Sequence, residues 1–292
     1  MKQSIKYQGE LLDLASLAAL KAGAAIMEVY RQNDFNAKLK ADDSPVTEAD
    51  LRSDAIITTT LARSGLPVLS EEGANIPFGE REKWELFWLV DPLDGTKEFI
   101  EHCEGFTVNI ALVDRQTPVA GVIYDPVNDV LYAGAVGQGA VKYPGASGVT
   151  AFGARQDHKT DNLDDAGIQL PSDVTGSYGI TGSRSFMDER TSRFIEDFRE
   201  MYPGTRVIIG GSSLKFCRIA EGSADIYPRF SNIFEWDTAA GHAILAAAGG
   251  SVVQAHDTSR SLVYNKQSPC NPWFIAFRDP RLLKSVSPLI PR

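Results

Sequence analysis

The chain has 292 residues and a net charge of −9, with 43% hydrophobic and 23% charged residues, which are ordinary values for a globular protein. It lacks an apolar run near the ~20 residues that span a bilayer, and its acidic balance without a cluster of Lys and Arg argues against nucleic-acid polymers as partners. Its first ten residues lack the pattern of a secretory signal and its three cysteines lack metal-ligand spacing, which predicts a cytoplasmic protein with buried thiols rather than a disulfide framework.

Two helices are predicted at the start of the chain. The first ends near Gln32, because apolar residues recur at helical spacing up to that point. Thr47 and Asp50 form the pattern of a capping box, and the second helix is predicted to run from there to about Ser64, before Gly65. The apolar positions of the first helix are Leu11, Ala15, Ala18, Ala22, Ile26 and Val29.

Strands are predicted next, and short turn-rich connections between them indicate a largely antiparallel sheet. These strands are Val68 to Ser70, Leu86 to Val90, Thr107 to Val113, Val119 to Tyr124, Val130 to Ala135 and Ala140 to Tyr143. Further along the chain, strands and helices alternate in the manner of an α/β layer. The predicted strands there are Tyr178 to Thr181, Val207 to Ile209 and Ala224 to Tyr227, and the helices are Asp188 to Met201, Ser212 to Glu221 and Thr238 to Ala248.

The stretch from Pro144 to Asp165 is rich in Gly, Ala, Thr and Asp and has little periodicity, so it is the predicted boundary between two parts. Residues 1–150 would form the helix pair and the antiparallel sheet, and residues 166–292 an α/β subdomain. The sequence therefore predicts a mixed α/β (α+β) protein in which helices pack on two sheets.

The strongest local signal is the run DPLDGTKEF from Asp91 to Phe99, in which a buried strand breaks at Pro92 and a helix begins near Thr96. Asp91 and Asp94 can face one point, and the carbonyl oxygen between them is a hard ligand of the kind that Mg²⁺ takes. Backbone N–H groups at the start of the helix can bind phosphate. Alternatively, Asp91 only starts a turn and Asp94 only caps a helix.

Two more acids stand at the ends of predicted elements. Glu71 follows a short strand, where sheet-based sites gather ligands, or it belongs to a solvated acidic turn. Asp237 precedes a helix whose first turn is almost all small residues, so other backbone could approach it closely. An ordinary N-cap is the alternative for Asp237. Carboxylates that gather divalent cations would let this acidic protein bind a small polyanion.

Taken together, four motifs resemble the inositol monophosphatase superfamily, in the same order along the chain: Thr47 to Asp50, Ser70 to Glu72, Asp91 to Thr96 and Trp236 to Gly241. The longer run DPLDGTKEF resembles its 3′(2′),5′-bisphosphate nucleotidase branch, as does the run from Gly211 to Cys217 followed by Ala220 to Gly222. The resemblance spans about residues 44–250. It implies a layered αβαβα sandwich with the site in the cleft between its two halves.

The resemblance implies a first Mg²⁺ held by Glu71, Asp91 and the carbonyl of Leu93, and a second held by Asp91, Asp94 and Asp237. A third, weaker ion would lie near Glu71. Asp50 and Thr96, with Glu71, would act in catalysis by orienting and deprotonating water, although Asp50 could be only the acid of its capping box. The implied substrate-binding residues are Glu71, Leu93, Asp94, Gly95, Thr96, Ser183, Arg184, Ser185, Lys215 and Asp237.

No other nucleophile is recognisable in the sequence. His102, His158, His242 and His256 form no evident pair with a Ser or Cys. His242 lies one turn into the Asp237 helix and is predicted to be a packed or capping histidine rather than a base.

Only a few residues in the sequence bear on the choice of substrate. Lys215 and the loop containing Ser183, Arg184 and Ser185 could bind a second phosphate, or they could be a solvated lysine and an ordinary polar turn. The nucleotidase branch often carries His after the Ser-Arg-Ser triplet, where this chain has Phe186, and an aromatic ring there could stack on adenine.

The resemblance implies hydrolysis of adenosine 3′,5′-bisphosphate (PAP) to AMP by metal-activated water, and possible action on its sulfated analogue PAPS. Inositol 1-phosphate hydrolysis is the alternative within the enzyme class, and a non-catalytic metal-dependent anion sensor is the alternative outside it. Lithium sensitivity and contact with the inner face of a bacterial membrane are also implied, the latter without a visible cause in the sequence. The oligomeric state is left open.

Overall fold

The computed structural model describes residues 2–32, 35, 37–40, 45–148, 167–174, 176–183 and 188–291, with side chains from residue 9 onward. Helix α1 (Lys2–Gln32) and helix α2 (Glu48–Leu61) come first, as predicted. The six predicted apolar positions of α1 are all buried. Thr47 and Asp50 close the capping box of α2, and a 3₁₀ turn extends that helix to Gly65, which takes the left-handed conformation of a helix end.

A large sheet follows these helices. Its strands are β3 (Val68–Ser70), β4 (Leu86–Asp94), β5 (Thr107–Asp114), β6 (Thr117–Asp125), β7 (Val130–Ala135), β8 (Gly139–Pro144) and β9 (Ile168–Gln169), in that spatial order. All neighbours are antiparallel except β3 and β4. The predicted break at Pro92 is only an irregularity, because β4 resumes its pairing with β5 at Asp94 after a shift of register.

The second sheet has the spatial order β11, β10, β12, β14, β13. Its strands are β10 (Gly179–Ser183), β11 (Arg206–Gly210), β12 (Ile226–Arg229), β13 (Ser251–Gln254) and β14 (Phe274–Phe277). The first three are parallel and were predicted; β13 and β14 were not, since a four-residue apolar run has no diagnostic period. The described residues also form a β1–β2 pair (Lys38–Leu39, Pro45–Val46) and short 3₁₀ turns at Ala146–Gly148, Pro280–Leu282 and Ser287–Leu289. The other described α-helices are α3 (Phe78–Arg81), α4 (Thr96–Ile100), α5 (Glu189–Met201), α6 (Leu214–Glu221), α7 (Trp236–Ala247) and α8 (Leu283–Val286).

Three apolar clusters pack the layers against one another. The first joins α1 and α2 to one face of the large sheet, and the second places α6 and α7 between the two sheets. The third packs α5 and the C-terminal helix against the outer face of the second sheet. The order of layers is therefore αβαβα, as predicted. Most of the boundary predicted from Pro144 to Asp165 lies outside the described residues, and the division into 1–150 and 166–292 stays a prediction.

Helix α7 packs very closely on the large sheet. A Cβ atom added to Gly121 in β6 would lie 2.4 Å from the backbone oxygen of Ala240. A Cβ atom added to Gly241 would lie 2.4 Å from the ring of Phe216 in α6. The small residues predicted to permit a close approach do so here, because Ala240 lies against the middle of β6 and Gly241 against α6.

Candidate active site

Three carboxylates meet where β3, β4 and α7 come together. Ligand oxygens of Glu71, Asp91 and Asp237 all lie within 4.8 Å of one another. Glu71 directly follows β3, and its backbone N–H donates to the carbonyl of Val90 at 3.1 Å, which fixes it beside Asp91. Residues separated by up to 166 positions in the sequence thus share one point of the fold.

Asp94 lies at the end of β4 beside this cluster. Its negative charge raises the pKa of both Asp91 and Asp237, although burial contributes most to each shift. Its Oδ2 accepts hydrogen bonds from Ser213 Oγ at 2.8 Å and from Asn109 Nδ2 at 3.2 Å. The structure therefore brings all four predicted acids to one place, with Asp94 oriented by neutral donors.

Burial and mutual repulsion oppose full ionisation of the cluster. They raise the pKa of Asp91 well above its usual range, that of Asp237 to about 8, and that of Glu71. Divalent cations would remove this repulsion, and carboxylate oxygens with a backbone carbonyl are the ligand set that Mg²⁺ prefers. The residues present fit a magnesium centre.

This electrostatic situation predicts a pH dependence of stability. Without metal, the unfolded acids ionise near pH ~4 while the folded Asp237 keeps its proton up to about 8, so the stability of the metal-free protein falls as pH rises through that window. Mg²⁺ competes with those protons, so its stabilisation grows over the same window. Melting temperatures in Mg²⁺ and in EDTA should differ more at about pH 8 than at about pH 5. An equal difference at both values would contradict the metal assignment.

Asp50 serves two partners at once. Its Oδ2 accepts from the backbone N–H of Thr47 at 2.7 Å and from the Thr47 hydroxyl at 2.5 Å, which is the capping box. Its Oδ1 accepts from Thr96 Oγ1 at 3.0 Å. Burial raises the pKa of Asp50. The capping role and the contact with Thr96 are thus compatible, because each uses a different oxygen.

Thr96 begins α4 directly after Gly95. Gly95 has a left-handed φ of 95°, and a Cβ atom there would lie 3.3 Å from Phe106, so glycine suits the turn. Thr96 Oγ1 also lies 3.3 Å from the carbonyl oxygen of Leu93, whose side chain is buried. The turn thus holds Thr96 between Asp50 and the Leu93 carbonyl.

Lys215 is buried, not a solvated lysine. Its ammonium donates to the carbonyl of Ser212 and lies 5.5 Å from the centre of the Tyr227 ring. Burial lowers its pKa to about 8, against the opposing effect of Asp94. Arg229, at the end of β12, is a second buried cation close enough to lower the pKa of Lys215 further. Sequence reasoning missed Arg229, because an arginine at a strand end carries no motif.

Lys40 is a further residue that the sequence did not indicate. It follows β1 and donates to Glu71 Oε1 at 2.8 Å and also to Glu72. These contacts raise the pKa of Lys40 above its usual range. In the structure, its ammonium supplies positive charge to one edge of the acid cluster.

His242 is held by partners outside the acid cluster. His242 Nδ1 lies 2.9 Å from the Tyr264 hydroxyl and its Nε2 lies 3.3 Å from Ser261 Oγ, while burial lowers its pKa to about 4. It is a packed histidine, as predicted. Ser183 is buried at the end of β10. The predicted residues Arg184 and Ser185, with Phe186 and His158, lie outside the described residues.

The chain is similar to known proteins over most of its length. The model of the inositol monophosphatase family matches residues 8–278. The 3′(2′),5′-bisphosphate nucleotidase CysQ of Shigella flexneri is 41% identical over 271 residues, covering 90% of this chain and 98% of that protein. The crystal structure of CysQ from Bacteroides thetaiotaomicron is 42% identical with a TM-score of 0.81, covering 91% of this chain and 96% of that one. An inositol monophosphatase from Anabaena is 27% identical with a TM-score of 0.66, covering 96% of each chain.

None of the described helices combines the length and the apolar character that crossing a bilayer requires.

Proposed function

The chain belongs to the inositol monophosphatase family, and from that premise we propose that it hydrolyses the 3′-phosphate of PAP, giving AMP and phosphate. The observation that carries the proposal is the placement of two buried cations, Lys215 and Arg229, beside the acid cluster. A metal centre with adjacent fixed cations suits a substrate that bears two phosphates, one to be cleaved and one to be held.

In this proposal Glu71, Asp91 and the Leu93 carbonyl would hold one Mg²⁺, and Asp91, Asp94 and Asp237 would hold a second. A third ion beside Glu71 would lie close to the ammonium of Lys40, which contacts the same carboxylate. Bound Mg²⁺ would supply positive charge for the phosphoryl oxygens and lower the pKa of a nearby water molecule.

Asp50 and Thr96 orient that water and receive its proton. Thr96 Oγ1 donates to Asp50 Oδ1, so the lone pairs of the threonine hydroxyl are free to accept from water. As the water oxygen attacks phosphorus and the bond to the 3′-oxygen breaks, Thr96 takes a proton at Oγ1 and passes its own to Asp50, and the released 3′-oxygen takes a proton from solvent. The raised pKa of Asp50 suits a proton acceptor. No side chain forms a covalent intermediate.

Lys215 and Arg229 hold the 5′-phosphate, and backbone groups at Gly95 and Thr96 hold the phosphate to be cleaved. Ser183, Arg184 and Ser185 are the further residues that we propose as contacts of the nucleotide. Action on PAPS, a site between the parts 1–150 and 166–292, and a cytoplasmic location remain predictions of the sequence.

Inositol 1-phosphate is the second candidate substrate, because solved inositol monophosphatases share the fold. The test compares kcat/KM for PAP and for inositol 1-phosphate under identical conditions, each with Mg²⁺ and with excess EDTA. We expect the higher value for PAP and loss of both activities in EDTA. A higher value for inositol 1-phosphate would overturn the nucleotidase assignment, and turnover that persists in EDTA would overturn the metal assignment. Binding of PAP without turnover would favour the anion sensor.

A further inference from the structure

Ser213 occupies the N-cap position of α6 without capping it. Serine at this position usually accepts a hydrogen bond from an N–H group of its own helix, which stabilises the helix by about 1 kcal/mol. The side chain of Ser213 makes no such bond. Its hydroxyl, only 2% exposed, instead lies between two of the acidic residues that we assign to the metal centre.

The hydroxyl joins groups from both sides of the site. Ser213 Oγ lies 2.8 Å from Asp94 Oδ2 and 2.6 Å from the backbone oxygen of Asp237, and it accepts from Asn109 Nδ2 at 2.9 Å. Asn109 Nδ2 also lies 3.2 Å from Asp94 Oδ2. Thr107 donates to Asn109 Oδ1 at 2.9 Å, which leaves the Asn109 amide nitrogen facing the carboxylate.

These contacts have a definite effect on Asp94. The single proton of the Ser213 hydroxyl is shared between Asp94 Oδ2 and the Asp237 carbonyl oxygen, and the Asn109 amide donates to the same Oδ2, whereas within the described residues no hydrogen bond engages Asp94 Oδ1. Asp94 belongs to the large sheet, whereas Ser213 and Asp237 belong to the helix layer between the sheets. The same hydroxyl therefore fixes the rotation of Asp94 and its position relative to Asp237.

We infer that Ser213 and Asn109 are positioning residues that orient Asp94 so that a single oxygen is presented to Mg²⁺, at a fixed separation from Asp237. The inference rests on the proposed magnesium centre. Hydrogen-bond partners of this kind typically change metal affinity by about 10- to 100-fold when removed. A helix cap with no such role would change stability alone.

The experiment measures Mg²⁺ affinity by isothermal titration calorimetry for the wild type, Ser213→Ala and Ser213→Thr. We expect Ser213→Ala to weaken Mg²⁺ binding about 10- to 100-fold and Ser213→Thr, which keeps the hydroxyl, to bind more tightly than Ser213→Ala. Asp279→Ala is the matched control, because Asp279 accepts from the backbone N–H of Arg281 at the start of a remote 3₁₀ turn. It should leave Mg²⁺ affinity unchanged.

Unchanged Mg²⁺ affinity in Ser213→Ala would overturn the inference, as would an equal loss in Asp279→Ala. If Ser213→Ala does not fold, Asn109→Ala removes the other donor to the same oxygen and has the same expected result. Failure of the wild type to bind Mg²⁺ would instead overturn the proposed metal centre, so the two failures are distinguishable.

Discussion

Replacing Asp91 by asparagine is expected to lower kcat/KM for PAP by about 1,000-fold, since the charge that metal ions supply to phosphoryl transfer amounts to several kcal/mol. The same change should raise the melting temperature of the protein in EDTA. Asp91 is 1% exposed, and burial together with repulsion from Glu71, Asp94 and Asp237 raises its pKa. Folding without metal must therefore protonate this carboxyl at neutral pH, a cost that the uncharged asparagine does not carry.

The asparagine is nearly isosteric with the aspartate. Its side-chain oxygen can still accept from the Leu93 N–H, which lies 3.1 Å from Asp91 Oδ1. Asp114→Asn, the same change at an exposed end of the neighbouring strand, is the control and should alter neither activity nor melting temperature. Activity within about tenfold of the wild type would show that Asp91 does not have the central role we assign to it. A melting temperature that fell in EDTA would contradict the electrostatic account.

Replacing Lys215 by methionine is expected to lower kcat/KM for PAP by about 10- to 100-fold, the range of one hydrogen bond to a charged group. Adenosine 3′-monophosphate lacks the 5′-phosphate, so its kcat/KM should change little. The ratio of the two values therefore reports contact with the second phosphate. An equal loss of kcat/KM for both substrates would show instead that Lys215 supports the fold or contacts the phosphate that is cleaved.

The pH dependence of that ratio provides an independent check. The pKa of Lys215 is lowered to about 8, so its positive charge is lost as pH rises through that value. In the wild type the ratio should fall across that range, and in the variant it should stay flat. Lys284→Met, at an exposed lysine of α8, is the matched control and should behave as the wild type.

The run from Asp91 to Phe99 could be read from the sequence because its signals are local. An apolar strand, a proline, a left-handed glycine and the start of a helix follow within a few residues, and each limits the conformation of the next. Glu71 and Asp237 were predicted from their places at element ends. That these residues lie close together could be predicted only from the order of the family's motifs, because no local pattern specifies which strand ends will meet.

The missed residues act through distant contacts. Asn109 and Ser213 are 104 positions apart, and each has an ordinary local interpretation, as a strand residue and as a helix cap. Arg229 and Lys40 lie next to short strands, where a basic residue carries no specific signal. Such partners can be identified only from the folded structure, in which the layers are in contact.

The position of α7 has a consequence for when activity can arise during synthesis. A nascent chain that has emerged as far as β8 contains the strands that carry Glu71, Asp91 and Asp94, whereas Asp237 arrives only with the helix that fills the space between the sheets. Premature termination before that helix would leave a fragment with repelling acids and no complete centre. On the metal centre proposed above, a product truncated before that helix would lack one ligand, and we expect it to be inactive.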